Sequence, residues 1–162
     1  TAYWKGFTEY QDAGEVDTQP RMMGWQAAGA APIADGKPVA DPETIATAIR
    51  IGNPASWQSA LTARDESDGI IDSVTDDEIL DAYRRLASTE GVFGEPASAA
   101  SVAGLIKLVA QGLDLSDQRV VCIITGSGLK DPDLAVSSSS GQTIEVEPTI
   151  DALEALELIS AL

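Results

Sequence analysis

The sequence predicts an α/β fold layered on a mostly parallel sheet with flanking helices. Three observations carry that expectation. Segments of strand and helix character alternate from residue 20 to residue 125, as in chains whose parallel strands are joined by crossover helices. The strand candidates are apolar runs rather than alternating ones, which suits strands covered on both faces. The clearest is Val120-Val121-Cys122-Ile123-Ile124, five apolar residues of which four are β-branched, stopped abruptly by Thr125-Gly126-Ser127-Gly128.

Taken in order, residues 1–13 read as a helix ending at Gly14, with Tyr3, Trp4, Phe7 and Tyr10 at helical spacing. That spacing argues against Thr1 as an N-terminal nucleophile, which normally opens a strand. Residues 21–26 are short and apolar and read as a strand. Ala27-Ala28-Gly29-Ala30-Ala31-Pro32 is too small and broken for an ordinary core element. It marks a close backbone approach, either to a ligand or to another helix or loop. Asp41-Pro42-Glu43 carries the marks of a helix start, and the helix is expected to run through Ile49 before the loop Gly52-Asn53-Pro54. Arg50 at its end either clamps a carboxylate or phosphate or caps the helix.

A second short helix is expected from Pro54 to Asp65, then a solvated turn over 65–69 and a strand over 70–74. Thr75-Asp76-Asp77-Glu78 spells a capping box, and Ile79, Leu80, Tyr83, Leu86 and Ala87 share one helical face before Gly91. Residues 92–96 read as another short strand. The helix that follows opens with Ala97-Ser98-Ala99-Ala100-Ser101, small side chains that let it sit close to whatever lies across from it. Glu95 either faces a ring or an ammonium in a crevice or caps its own helix. A loop over 112–118 leads to the strand at 120–124. Beyond Pro132 come a serine-rich flexible connection at 137–141, an alternating stretch at 143–147 and an amphipathic tail from Ile150 to Leu162. Residues 1–136 are expected to form the α/β core, and 137–162 a linker and tail.

Composition narrows the chemistry. The 162 residues suit one domain. Acidic residues outnumber basic ones by 26 to 10, a net charge of −16, so nucleic acid and anionic membranes are poor partners. There is no histidine and one cysteine, Cys122, read as an inert core residue; a zinc site or a histidine-dependent triad has no residues to form from. No apolar run approaches the ~20 residues of a membrane-spanning helix and no leader is visible, so the expected compartment is the cytoplasm.

In open parallel sheets ligands sit beyond the carboxyl ends of the strands. Thr125 is the last polar side chain of such a strand. It either points into that crevice or merely closes the strand. A hydroxyl donates and accepts hydrogen bonds without charge, which suits a ring nitrogen that needs a weak partner. A pocket lined by Thr125, Gly126, Gly128 and Glu95 would suit a small aromatic cofactor or substrate.

Four stretches in one order carry a resemblance. They are Arg21-Met22 with Ala27-Ala28-Gly29-Ala30-Ala31-Pro32, the run from Thr44 through Ile49-Arg50-Ile51-Gly52-Asn53-Pro54 to Trp57, Glu95-Pro96-Ala97-Ser98 through Gly104, and Thr125-Gly126-Ser127-Gly128-Leu129-Lys130-Asp131-Pro132. Together they resemble the threonine synthase family, fold-type-II pyridoxal phosphate enzymes related to tryptophan synthase β. Met23, Gly94 and Ser127 depart mildly from the family pattern, which frequently has His, Val and Asn there.

The resemblance implies conversion of O-phospho-L-homoserine and water to L-threonine and phosphate with pyridoxal 5′-phosphate. It implies Thr125 at the pyridine nitrogen with Gly126, Ser127 and Gly128 beside it, Glu95 near the ring, and Ala48 and Ile49 along the cofactor face. Arg50 becomes a substrate-binding candidate. The match looks like the C-terminal half of the family's catalytic core, a partial domain. The Schiff-base lysine and the phosphate loop have no counterpart, because Lys5, Lys37, Lys107 and Lys130 lie in no such motif. The chain is therefore expected to be inactive alone, with the N-terminal half of the same enzyme as its partner and a homodimer as an allowed assembly. Other readings are a relative of threonine dehydratase or cysteine synthase, and a non-catalytic complementation fragment.

Overall fold

Two strands of the chain pair, and they pair in parallel. β1 (Met23–Ala27) lies beside β2 (Ile70–Val74) with Met23 opposite Ile70 and Ala27 opposite Val74. The computed structural model describes residues 1–138 and 144–155. Helix α1 (Ala2–Asp12) precedes β1, and Gly14 beyond it takes the left-handed φ of 74°. The short α2 (Pro32–Asp35) follows β1, where the Gln26 side-chain oxygen accepts from the backbone N–H of Ile33 at 2.9 Å and of Ala34 at 3.1 Å. α3 (Trp57–Glu66) leads into β2, and α4 (Asp76–Glu90) and α5 (Pro96–Ala110) follow as a packed pair. α6 (Pro132–Ser138) and α7 (Ile150–Glu154) complete the described helices. The parallel pairing and flanking helices agree with the expected class.

Helix α4 forms where its capping box lies. Thr75 Oγ1 accepts from Glu78 N at 3.2 Å, and the Glu78 carboxylate accepts from Thr75 N at 2.7 Å. Gly91 closes it at φ 65°. The core between α4, α5 and the sheet is made of small side chains: Ala27, Ala46, Ala82, Ala97, Ala99, Ala100 and Ala103 surround Val74, Ile79 and Tyr83. Such a core is filled by backbones that approach closely, not by large side chains. At Gly104 an added Cβ would lie 1.9 Å from the Trp25 indole, so α5 rests on β1 with an aromatic ring where a side chain would otherwise project.

Several expected elements differ. The helix at 41–49 is replaced by irregular backbone and a 3₁₀ turn, Thr47–Ile49. The donors of this segment are taken by distant partners: Glu43 N by Gly29 O at 3.0 Å, and Ile45 N by the Asp76 carboxylate at 3.1 Å. The Thr44 hydroxyl also donates to Asp76, which fixes the segment against the start of α4. The Ala-Gly stretch after β1 is thus a close approach to another loop, since a Cβ on Gly29 would meet Glu43 O at 2.0 Å. The turn at 65–69 is not simply solvated. Ser67 is buried and accepts from Met22 N at 3.1 Å, tying the entry of β2 to the entry of β1.

Residues 92–96 form only an isolated antiparallel bridge, Gly94 to Ser127. Residues 120–124, expected as a strand covered on both faces, form no strand and join no ladder among the described residues, and Val121 is 73% exposed. A strand needs a neighbour to satisfy its backbone, and no described segment offers one. Ser137 and Ser138 continue α6 where a flexible connection is expected, and Arg84 Nε donates to Ser138 O at 3.2 Å. Residues 144–147 form no strand; Thr143 and the end of the expected tail helix lie outside the described residues.

Two outcomes follow. Gly104→Ala forces a methyl into the Trp25 ring and should lower stability by about 1–3 kcal/mol, read as a lower denaturant midpoint with unchanged slope. Burial first, and the Asp131 carboxylate second, push the Tyr83 phenol above its ordinary value. Its contribution is present in full below about pH 10 and is lost as pH rises through the raised value. Thermal midpoints measured on the alkaline side should therefore fall more steeply for the natural chain than for Tyr83→Phe.

Candidate functional site

The N-terminus of α5 packs against the 3₁₀ turn at 47–49 and, separately, against the segment ending at Thr125. Pro96 at the first helical position starts α5 with a fixed φ, and Glu95 precedes it in extended conformation at φ −77°, ψ 159°. The Glu95 side chain makes no capping bond to its own helix. Its carboxylate turns across the chain to lie over Gly126, where an added Cβ would sit 2.2 Å from Glu95 Oε1. Lys130 Nζ is 3.8 Å from Glu95 Oε2, with the lysine side chain 63% exposed and the glutamate side chain 9%. The ammonium and the positive end of α5 complement a carboxylate that has little water around it.

Backbone bonds lace the 126–128 loop to the strand-like segment before α5. Glu95 N donates to Gly126 O at 2.9 Å, and Gly128 N donates to Phe93 O at 2.9 Å. Gly128 lies under the Phe93 ring, 2.4 Å from where its Cβ would be. Ser127 Oγ accepts from Leu129 N at 3.3 Å and opens the 3₁₀ turn Gly128–Lys130.

Ser98, 1% exposed in the first turn of α5, joins the two halves of this site. Its hydroxyl accepts from Gly126 N at 2.8 Å and lies 3.1 Å from Thr125 Oγ1 and 3.2 Å from Gly126 O. One turn along, Ser101 Oγ contacts Ile123 O at 3.4 Å. Ser98 thus ties the 124–126 segment to α5, while Ser101, whose shorter bond at 3.0 Å goes to Ser98 O, adds only the longer contact. Sequence reading took these serines as merely small; their spacing of three on an alanine-rich helix was the available signal. Cys122 between them is half-buried, and burial pushes its thiol up while a bond with Ser101 partly offsets that, so it is an unreactive group.

The predicted site residues divide. Thr125, Gly126, Ser127, Gly128 and Glu95 are brought together by the contacts above. Ala48 lines a small cleft with Thr47, Glu95, Pro96, Ala97, Lys130 and Asp131, whose volume is about 30 Å³. That is room for about one water, so the cleft encloses no ligand-sized space. Ile49 packs against the alanine-rich core instead. Arg50 lies outside the cleft and pairs with Glu43 at 3.6 Å.

Thr125 and Gly126 lie outside that cleft, and together with Glu95 they make a donor set that fits a pyridine ring in its chemistry. It offers a neutral hydroxyl whose only recorded side-chain partner among the described residues is Ser98, a glycine backbone beside it, and a buried carboxylate near a cation. No helix among the described residues is long and apolar enough to cross a membrane.

Comparison with known proteins agrees with this reading of the fold. The chain is 59% identical over 142 residues to the threonine synthase of Synechocystis, matching 88% of this chain and 37% of that protein. It is 54% identical over 159 residues to the threonine synthase of Mycobacterium leprae, matching 98% of this chain and 44% of that protein. The chain therefore spans about two fifths of the length of these relatives. The structure of maize serine racemase superposes with a TM-score of 0.58 at 22% identity over 72% of this chain and 37% of that one, a likeness of fold. A family model described as pyridoxal-phosphate dependent enzyme matches residues 1–126. The parallel pairing of β1 and β2 among flanking helices agrees with this match, and the chain belongs to the pyridoxal-phosphate dependent enzyme family.

Proposed function

We propose that this chain forms the ring-facing wall of the cofactor site in a threonine synthase, acting on O-phospho-L-homoserine and water to give L-threonine and phosphate in the cytoplasm. The observation that carries the reading is the held hydroxyl of Thr125, in a chain 59% identical over 142 residues to a threonine synthase. Bound pyridoxal phosphate supplies an electron sink for elimination and addition at an amino acid's carbons. Thr125 hydrogen-bonds the ring nitrogen without carrying charge, so it solvates that atom and leaves its proton affinity little altered. Gly126 leaves the space that the Glu95 carboxylate fills, which brings that carboxylate next to Thr125. Glu95, held over Gly126 and balanced by Lys130, faces the same edge as a fixed negative charge. Ala48 borders the same cleft as Glu95 and stands on the substrate side in this reading.

None of the four lysines has the setting of a Schiff-base residue. Lys107 donates to Ser73 O at 2.6 Å and pairs with Asp72, Lys5 pairs with Glu9 on α1, Lys37 is exposed, and Lys130 stands beside Glu95. In this reading turnover requires a lysine outside the 162 residues, and the partner is the remainder of the same enzyme. Phosphate release from O-phosphohomoserine is the direct assay. A protein of the relatives' full length carrying these residues should release phosphate and form threonine in equal amounts, whereas the 162 residues alone should release none. Turnover of O-acetylserine or of threonine in place of phosphohomoserine would reassign the substrate. In the full-length protein Thr125→Val should weaken cofactor binding roughly tenfold and Thr125→Ser by less than about threefold, read by equilibrium titration. Equal affinities for the two variants would remove Thr125 from the ring nitrogen.

A further inference from the structure

We infer that Ser98 is a positioning residue that fixes the hydroxyl of Thr125 as a hydrogen-bond donor toward the ring nitrogen. The inference rests on the reading of Thr125 given above and follows from counting protons. Gly126 N–H can only donate, and at 2.8 Å it fills one lone pair of Ser98 Oγ. Ser98 has a single proton and two acceptors within reach, Gly126 O at 3.2 Å and Thr125 Oγ1 at 3.1 Å. The Gly126 carbonyl already accepts from Glu95 N at 2.9 Å. Thr125 Oγ1 has no other side-chain partner recorded among the described residues. With Gly126 O already accepting one bond and lying at the longer of the two distances, the Ser98 proton is assigned to Thr125, and the Thr125 proton is then directed away from Ser98.

The result is a one-way chain of donors: Gly126 N–H to Ser98, Ser98 to Thr125, and Thr125 outward. Each bond polarises the next, so the last hydroxyl is a better donor than an isolated one. Ser98 is 1% exposed, and water does not compete for its proton. Its place in the first turn of α5 adds the helix's positive end behind the chain. A purely structural Ser98 would need only the Gly126 bonds, and the 3.1 Å contact with Thr125 would then be incidental.

The experiment uses the full-length protein loaded with cofactor labelled with nitrogen-15 in the ring. The chemical shift of that nitrogen reports whether a donor faces it. Thr125→Val should move it toward the value of a ring nitrogen without a donor, and Ser98→Ala should move it part of the way. Ser98→Ala should also weaken cofactor binding about fivefold beside Thr125 and less than about twofold in the Thr125→Val background. Ser98→Cys, of similar volume and a weaker donor, should fall between Ser98→Ala and the natural residue, and it serves where the alanine variant fails to fold. An unmoved nitrogen in Ser98→Ala, or equal losses of affinity in both backgrounds, makes Ser98 a structural residue and overturns the inference while leaving Thr125 in place. A nitrogen unmoved by Thr125→Val overturns the reading of Thr125 itself, and the inference with it.

Discussion

The arrangement depends on how closely α5 can lie against its surroundings. Its buried face is Ala97, Ala99, Ala100, Ala103 and Gly104, and Trp25 fills the space above the glycine. A helix with larger side chains there would stand farther from β1 and β2. Its first turn would then be too far from the 124–128 segment for Ser98 and Ser101 to reach that backbone. Alanine burial releases little apolar area per residue, so what this packing contributes is precise distance more than transfer energy. The hydroxyl contacts at the end of the helix are the part of the molecule that uses that distance.

The same economy explains the turn at 47–49. It has few hydrogen bonds of its own and is held through Thr44 and Ile45 on Asp76, the first residue of α4. Asp76 therefore serves two elements: a negative charge at its own helix N-terminus, and an anchor that keeps Ala48 at the edge of the cleft. One side of the candidate site is consequently coupled to α4, although no α4 residue lines the cleft.

Local chemistry was the legible part of the sequence. Gly14 and Gly91, the capping box at Thr75 and the apolar run at 70–74 each set an element within a residue or two, because each signal acts through neighbours in the chain. Asp41-Pro42-Glu43 misled for the opposite reason, since the distant Asp76 carboxylate claimed the Ile45 donor that a helix would have used internally, and the Gly29 carbonyl took Glu43 N. The run at 120–124 misled as a strand covered on both faces; its composition reports a preference for burial and pairing, and no described segment pairs with it. Within the site, glycines and Glu95 stood out by type. Ser98 did not, because its role comes from a contact with Thr125 that spans 27 positions.

The parallel pairing of β1 and β2 carries a kinetic consequence. Joining Met23 to Ile70 in parallel requires the whole excursion through α2, the 3₁₀ turn and α3 to close first, and loop closure of that length delays any reward from the ladder. Helices α4 and α5 are neighbours in sequence and share an extensive contact, so they can meet while the strands are still apart. Sequence separation thus favours the helical pair assembling before the strand ladder, with its alanine face in place for the sheet to settle on.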